Sequence, residues 1–311
     1  MSTTVSKFSA VKHCRESILD YDRVIVQVRK CPNIASLRSI NDALTKLTAR
    51  SQSPVYEIAD IVRRDLSLTA RLLRLVNSVF GGLSVKISSI EEAIFFLGMR
   101  QIRQLAMTTR VIDEVEETLQ CGEGLKWEQI WRQSIGTGIL TREILSMTCG
   151  GSEDDTYYVC GLLHDIGKLV MLNVFPEEFA ESRSFKEKSS GILARKEKAE
   201  FGWNHAEIGA LYLEVNGLPR EIVEAVLFHH EPSNAYRCRA YAAGIQVADY
   251  ISRFGGCESG FENVTRIAFG DWEHLEGWGI LFTGDRAETQ FARASVLNSI
   301  ERLPSILQGL I

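Results

Sequence analysis

The feature that most limits the fold of this chain is the helical spacing of its apolar residues, which recurs along most of the sequence. Residues 65–80 give the clearest example, because apolar side chains recur there at intervals of three and four and share one face of a helix. These side chains are Leu68, Leu72, Leu75, Val76 and Val79. Alternating runs rich in β-branched residues, which predict strands, are scarce. The sequence therefore predicts an all-α protein built from many helices.

Turn signals divide these helices into two lobes and a tail. Gly81-Gly82 ends the helix of residues 65–80, and the glycine-rich run from Cys121 to Gly124 is the strongest candidate for a boundary between lobes. We predict an N-terminal helical lobe over residues 1–120, a second helical lobe with a cleft over 121–254, and a helical tail over 255–311.

The second lobe is organised around residues 161–168, with the sequence Gly-Leu-Leu-His-Asp-Ile-Gly-Lys. The apolar pattern predicts one helix over residues 153–172, in which His164, Asp165 and Lys168 are polar exceptions. Lys168 follows Asp165 by three residues and His164 by four, so that all three side chains can point into one cleft. An imidazole, a carboxylate and an ammonium group together suit a divalent metal and an anionic, phosphate-like ligand.

Four of the six histidines lie between residues 164 and 230, in or beside apolar helical segments. Any one of them taken singly is more often a buried packing residue than a ligand. As a set with two aspartates they supply enough ligands for an octahedral manganese, iron or magnesium site with positions left for water, and zinc is a further candidate. The candidate metal ligands are His164, Asp165, His205, His229, His230 and Asp249.

Composition excludes several classes of protein. The apolar fraction of 45% and charged fraction of 24% are those of an ordinary globular protein, and the net charge of −5 argues against a general nucleic-acid binder. The cysteines are odd in number and form no Cys-x-x-Cys pair, which indicates a reducing compartment. No apolar run approaches the roughly 18 residues of a membrane span, and no signal pattern opens the sequence. We expect a cytoplasmic protein with no direct nucleic-acid or membrane partner.

The order of its histidines and aspartates resembles the HD superfamily of metal-dependent phosphohydrolases. The N-terminal lobe narrows the resemblance to the HDOD domain, the HD-related output domain of bacterial signalling proteins. The match begins with Arg-Asp-Leu-Ser-Leu-Thr-Ala-Arg-Leu-Leu-Arg-Leu-Val-Asn-Ser and continues through further stretches, which together are residues 64–78, 86–94, 97–98, 161–169 and 205–209. The resemblance covers about residues 25–250 and implies a two-lobed, all-α HDOD architecture.

The resemblance implies one degenerate and one intact metal position. Active HD phosphodiesterases carry a first histidine ligand on the helix before the His-Asp pair, and Gln133 stands at that place here. The position that would use Gln133 with His164, Asp165 and Asp249 is therefore degenerate, since an amide is a much weaker ligand than an imidazole. The second position would use Asp165 as a bridge with three histidines that are all present, namely His205, His229 and His230. Lys168 matches the lysine that holds a phosphate, and Asp165 and Lys168 would be the catalytic residues of a hydrolase.

Two functions from different classes remain open. One is a non-catalytic regulatory or interaction domain in bacterial signal transduction, whose partners are signalling proteins or a small phosphate-containing ligand. The other is a metal-dependent phosphohydrolase or phosphodiesterase acting on a nucleotide or a cyclic (di)nucleotide, with an activated water and Lys168 stabilising charge on the phosphate. A third, weaker alternative is metal binding for structure alone. The resemblance favours regulation, because HDOD domains generally signal without established hydrolysis.

Overall fold

The computed structural model of the chain describes residues 19–31, 42–44, 46–47, 54–79, 86–107, 127–149, 156–185, 190–254, 270–283 and 286–308. Within these ranges the regular secondary structure is entirely helical, and the prediction of an all-α fold is confirmed. The predicted lobe boundary near residue 121 and the start of the tail near residue 255 lie outside the described residues. The division into 1–120, 121–254 and 255–311 stays a prediction.

Fourteen α-helices follow one another in the described ranges. They are α1 (Tyr21–Lys30), α2 (Val55–Arg63), α3 (Leu66–Val79), α4 (Ile90–Met107), α5 (Trp127–Thr148), α6 (Thr156–Leu163), α7 (Ile166–Val174), α8 (Pro176–Ser184), α9 (Ser190–Phe201), α10 (His205–Val215), α11 (Arg220–Leu227), α12 (Arg239–Phe254), α13 (Glu276–Leu281) and α14 (Arg286–Gln308). Short 3-10 turns lie at Pro232–Asn234 and Asp271–His274. None of these described helices is long and apolar enough to cross a membrane.

The helices that carry the predicted site form one packed unit. Helix α5 packs along α6 and α12, α7 packs across α10, and α11 contacts α6, α10 and α12. The apolar side chains between these helices are almost completely buried, as for Leu163, Ile208 and Val247. Burial of this kind fixes the helices relative to one another, so polar side chains at their facing ends are held at defined separations.

The predicted single helix over residues 153–172 is wrong, because the helix breaks at the His-Asp pair. Helix α6 ends at Leu163 and α7 begins at Ile166, with His164 and Asp165 in the turn between them. Asp165 has φ −100° and ψ 13°, and its side chain makes no capping hydrogen bond to α7. No proline or positive-φ glycine marks this break, so the apolar pattern runs through it in the sequence.

Helices α7 and α10 cross with their backbones in contact, and two glycines make this possible. A Cβ on Gly167 would overlap the His205 carbonyl oxygen and lie 2.7 Å from the Gly209 nitrogen. A Cβ on Gly209 would lie 3.0 Å from the Gly167 nitrogen. This close crossing brings the turn that holds Asp165 against the first residue of α10, His205.

Buried polar contacts tie the N-terminal helices to this unit. One carboxylate oxygen of Asp65 accepts the Leu68 amide at 2.8 Å at the start of α3, and the other accepts the Trp131 indole N–H at 3.1 Å. The Tyr158 hydroxyl donates to the Arg63 carbonyl at 2.6 Å. Helices α2 and α3 are thereby fixed to α5 and α6, next to the site.

We expect Gly167→Ala to destabilise the protein by about 2 kcal/mol or more, because the methyl group has no room and α7 must move away from α10. Gly191→Ala is the matched control, since Gly191 is also helical but a Cβ there meets nothing within 4 Å. That control should be neutral or stabilising by up to about 1 kcal/mol, as alanine favours helix over glycine. Urea unfolding of both variants makes the measurement. Equal effects of the two substitutions would contradict the proposed backbone contact.

Candidate metal centre

The structure brings all six predicted ligand residues together from four segments of the chain. His164 and Asp165 lie in the α6–α7 turn and His205 begins α10, while the remaining ligands follow α11 or lie on α12, namely His229, His230 and Asp249. Their ligand atoms form two groups of three, within each of which all atoms lie within 4.8 Å of one another. One group is His205, His229 and His230, and the other is His164, Asp165 and Asp249.

Helix ends set the tautomers of two of these histidines. His164 directly follows α6 and donates Nδ1–H to the Gly161 carbonyl at 2.8 Å, and His229 follows α11 and donates Nδ1–H to the Val226 carbonyl at 2.7 Å. Both carbonyls belong to the last turn of a helix, where no amide of the next turn is available to them. Because each Nδ1 carries a proton for its carbonyl, it is the Nε2 atom of each ring that faces the cluster.

A buried carboxylate positions the third histidine. Glu197 on α9 accepts hydrogen bonds from the His205 backbone amide at 3.0 Å and from its Nδ1 at 2.6 Å, and Ser182 donates to the other carboxylate oxygen at 2.6 Å. Both Glu197 and His205 are buried. A carboxylate behind the distal nitrogen of a histidine is the usual second layer of a metal site, where it fixes the ring and raises its basicity.

The cluster contains polar atoms that make no hydrogen bond among the described residues, although His164 Nε2 lies 3.3 Å from Asp165 Oδ2 and 3.4 Å from Asp249 Oδ1. They are His164 Nε2, His229 Nε2 and Asp165 Oδ1, all inaccessible to solvent. Buried polar atoms are nearly always hydrogen-bonded, so the His229 lone pair and the carboxylate oxygen of Asp165, both without hydrogen bonds, indicate a place for a cation. Neutral imidazoles with a carboxylate form a donor set that manganese, iron or zinc accepts.

Interatomic distances agree with ligands that share one ion. His205 Nε2 lies 2.7 Å from His230 Nε2 and 3.4 Å from Asp165 Oδ1. Two ligand atoms at about 2.1 Å from one ion and at right angles are about 3 Å apart. The half of the cluster formed by His205, His229, His230 and Asp165 therefore fits a divalent metal.

Asp249 has a different environment, because its carboxylate already accepts four hydrogen bonds from the protein. Oδ1 accepts from Gln133 Nε2 at 2.7 Å and from Arg253 Nε at 3.1 Å. Oδ2 accepts from Ser190 Oγ at 2.9 Å and from Arg253 Nη2 at 3.1 Å. Burial alone raises the pKa of Asp249, but the Arg253 guanidinium, followed by His164, holds it well below its usual range. Gln133, at the position of the missing histidine, thus contacts Asp249 directly.

The pKa values of His164, His229 and His230 are shifted in different directions. Burial works against the imidazolium of His164, but the carboxylates of Asp165 and Asp249 outweigh it and raise the pKa of His164 to about 10. Burial and the neighbouring His164 lower the pKa of His229 to about 3, and burial with His229 lowers the pKa of His230 well below its usual range. Metal ligands must be deprotonated, so His229 and His230 are already in the form that binds.

Lys168 belongs to the cluster through an ion pair. Its Nζ lies 2.8 Å from Asp165 Oδ2, and both side chains are buried. Burial acts to raise the pKa of Asp165, but Lys168, followed by His164, lowers it well below its usual range. The predicted i, i+3 relation of Asp165 and Lys168 is thus present, although the helix begins only after Asp165. The role of Lys168 in holding a phosphate stays a prediction.

Access to the cluster is narrow. A cavity of about 180 Å³ has His230 in its wall, and it is rimmed by side chains of both charges that include Arg195, Lys198 and Glu207. Lys198 and Glu207 pair at 2.6 Å. A larger cleft of about 550 Å³ lies beside the start of α11, and none of the six candidate ligands lines it.

Sequence reasoning missed three functional side chains. Glu197 lies in the charged run Arg-Lys-Glu-Lys, which predicts a solvated helix face, and only the fold shows that this one carboxylate turns inward. Arg253 follows Asp249 by four residues, a spacing that could have indicated the ion pair. Nothing in the sequence around Ser190 indicates its contact with Asp249.

Comparison with known proteins identifies the family. The model of the HDOD domain family matches residues 34–232. An uncharacterized protein of Treponema pallidum (strain Nichols) is 24% identical over 240 residues, which cover 75% of this chain and 45% of that protein. The uncharacterized protein YuxH of Bacillus subtilis (strain 168) is 36% identical over 56 residues, which cover 18% of this chain and 14% of that protein. The chain spans less than half the length of these curated relatives.

Solved structures share the fold at low sequence identity. A fragment of the MmoQ response regulator from Methylococcus capsulatus str. Bath has a TM-score of 0.60 at 20% identity, covering 83% of this chain and 95% of that chain. An HDOD domain protein of unknown function from Geobacter sulfurreducens has a TM-score of 0.54 at 23% identity, covering 94% and 99%. A virulence factor from Campylobacter jejuni subsp. jejuni has a TM-score of 0.60 at 18% identity, covering 76% and 84%. With the family match over residues 34–232, this agreement leads to one conclusion: the chain belongs to the HDOD domain family.

Proposed function

We propose that this chain is a bacterial signal-transduction protein whose second lobe works as a regulatory or interaction module and not as a hydrolase. The observation that carries the proposal is the enclosure of the cluster. His164, His205 and His229 are at most 1% exposed, and the cavity at His230 holds about 180 Å³. Pockets that bind drug-sized ligands usually measure roughly 300–1,000 Å³. The cavity at His230 is smaller than that range, which supports a small ligand there over a nucleotide or cyclic dinucleotide.

Family and fold support a signalling role. Membership in the HDOD family agrees with it, and the similar MmoQ structure is named a response regulator. The proposed partners are other signalling proteins or a small phosphate-containing ligand, because the narrow cavity admits an anion of that size more readily than a nucleotide. A cytoplasmic location is part of the same proposal.

We further infer that the cluster holds one divalent metal between His205, His229, His230 and Asp165. Such a metal would polarise a water and tie together segments that are distant in the sequence. The chain prepares the site itself: Glu197 orients His205, and the Val226 carbonyl orients His229. Metal binding would then stabilise one arrangement of α7, α10 and α11, which is how a regulatory module can respond to a ligand.

The alternative function, a metal-dependent phosphohydrolase, also has an observation in its favour. Asp165 Oδ1 and two imidazole nitrogens make no hydrogen bond among the described residues, and Lys168 lies 2.8 Å from the other oxygen of Asp165. This arrangement suits an activated water beside a cation that stabilises negative charge. The alternative requires a wider opening than the one at His230.

Hydrolysis assays separate the two functions. Manganese-replete wild-type protein should show no turnover of bis(p-nitrophenyl) phosphate or of common nucleotides above that of His229→Ala, because the substrate does not reach the histidines. Release of p-nitrophenol and of inorganic phosphate are the measurements. Turnover by the wild type that disappears in His229→Ala would establish the hydrolase instead.

Metal binding itself is tested by comparing two histidines. His229→Ala should remove the metal found by elemental analysis and abolish the rise in melting temperature on adding manganese, whereas His274→Ala should keep both, since His274 is exposed and belongs to neither ligand group. Free metal at a hundredfold excess over Kd stabilises a protein by about 2.7 kcal/mol, which corresponds to roughly 5–10 °C. Equal metal content and equal thermal response in the two variants would show that the cluster is not the site.

Glu197 should act on metal affinity through His205. Glu197→Gln keeps the shape of the side chain but removes its charge, so we expect metal affinity to fall by about 10–100-fold, as is usual for such second-layer groups. Glu200→Gln on the same helix is the control, because that side chain is exposed. Competition with a metal indicator dye gives both dissociation constants. Unchanged affinity in Glu197→Gln would mean that the carboxylate only supports the fold.

A further inference from the structure

We propose that the guanidinium of Arg253 replaces the metal ion at the degenerate position, the one that would use Gln133, His164, Asp165 and Asp249. This chain then holds a single metal ion and carries its own cation where two-metal relatives would bind another. The proposal rests on the metal inferred above at His205, His229 and His230. Both Asp249 and Arg253 follow residue 232, where the family match ends.

The acceptor positions of the Asp249 carboxylate are already occupied by donors of the protein. A carboxylate has about four acceptor positions, and all four of Asp249 are used: one by Gln133, one by Ser190 and two by Arg253. Binding a metal would require at least one of these donors to leave. The bidentate contact with Arg253 is the strongest of them, because its two donors belong to a group that carries a full positive charge, whereas Gln133 and Ser190 are neutral.

The ion pair between Asp249 and Arg253 is buried. The Arg253 side chain is only 6% exposed and that of Asp249 only 4%. Arg253 is one helical turn after Asp249 on α12, so its guanidinium is held against the carboxylate by the helix itself. A buried aspartate needs a compensating positive charge, and a divalent ion or a guanidinium can each supply it. In this chain the guanidinium does so through two hydrogen bonds of 3.1 Å, and His164 Nε2 lies farther from the carboxylate, 3.4 Å from Oδ1.

Gln133 completes the arrangement. Its amide N–H donates to Asp249 Oδ1 at 2.7 Å, so it supports the carboxylate that a histidine at this position would share with a metal. An amide N–H is a donor only, whereas a neutral histidine could offer a lone pair. Gln133 and Arg253 are therefore two parts of one replacement, and reversing only one of them leaves the other in place.

The test counts metal ions in single and double variants. After loading with manganese and removal of excess, the wild type, Gln133→His and Arg253→Met should each retain about one equivalent. The double variant Gln133→His/Arg253→Met should retain about two, with the magnetic coupling in the EPR spectrum that two ions roughly 3.5–4 Å apart show. Gln133→His/Arg253→Lys is the matched control: it keeps a cation beside Asp249 and should remain at one.

The inference is overturned by two equivalents in the wild type, by two in Gln133→His alone, by one in a folded double variant, or by no metal in the wild type. Circular dichroism establishes folding of each variant. If the double variant does not fold, the wild type still decides: one equivalent with an uncoupled six-line manganese spectrum supports the inference, and a coupled spectrum refutes it. Hydrolysis is a separate readout, since turnover with one metal would end the proposed regulatory function and leave this inference standing.

Discussion

The close crossing of α7 and α10 is the contact on which the site depends. Because Gly167 and Gly209 carry no side chain, the two backbones touch, and the turn with His164 and Asp165 lies against the first residue of α10. With larger residues at the crossing, Asp165 Oδ1 would move away from His205 Nε2, now 3.4 Å distant. Helices α11 and α12 pack on α5, α6 and α10, and this packing places His229, His230 and Asp249 beside the other ligands.

The cluster has two halves, and each compensates the charge of a buried carboxylate in a different way. Both halves bury a carboxylate among imidazoles, and an uncompensated buried charge is costly. Asp249 is compensated within the chain by Arg253, Ser190 and Gln133. Asp165 is compensated on its Oδ2 side by Lys168 and His164, while Oδ1 faces His205 at 3.4 Å and accepts no hydrogen bond among the described residues. Under the proposed single-metal arrangement, this difference leaves the half at Asp165 as the one that takes an added cation.

Much of this arrangement could be predicted from residue order, and the parts that could not have physical reasons. Helical periodicity predicts the all-α fold, and the order of histidines and aspartates predicts which residues meet, because it resembles a known family. The break between α6 and α7 was missed, since apolar residues continue through it without glycine or proline punctuation at the turn itself. Glu197 was missed because the direction of a charged side chain in a charged helix is decided by tertiary packing. The four contacts of Asp249 come from α5, α9 and α12, and no local pattern records them.

The hydrogen bonds from His164 and His229 to their own helix ends have a consequence for assembly. Each ring is oriented by a carbonyl three residues before it. The orientation of each ligand is therefore set within its own segment and does not depend on the neighbouring segments. Aligning the site then requires only that the segments meet, without further loss of side-chain freedom. A metal shared by Asp165 and His230 would act as a reversible cross-link that closes a long loop of chain, comparable in its entropic effect to a disulfide but released whenever the ion is withdrawn.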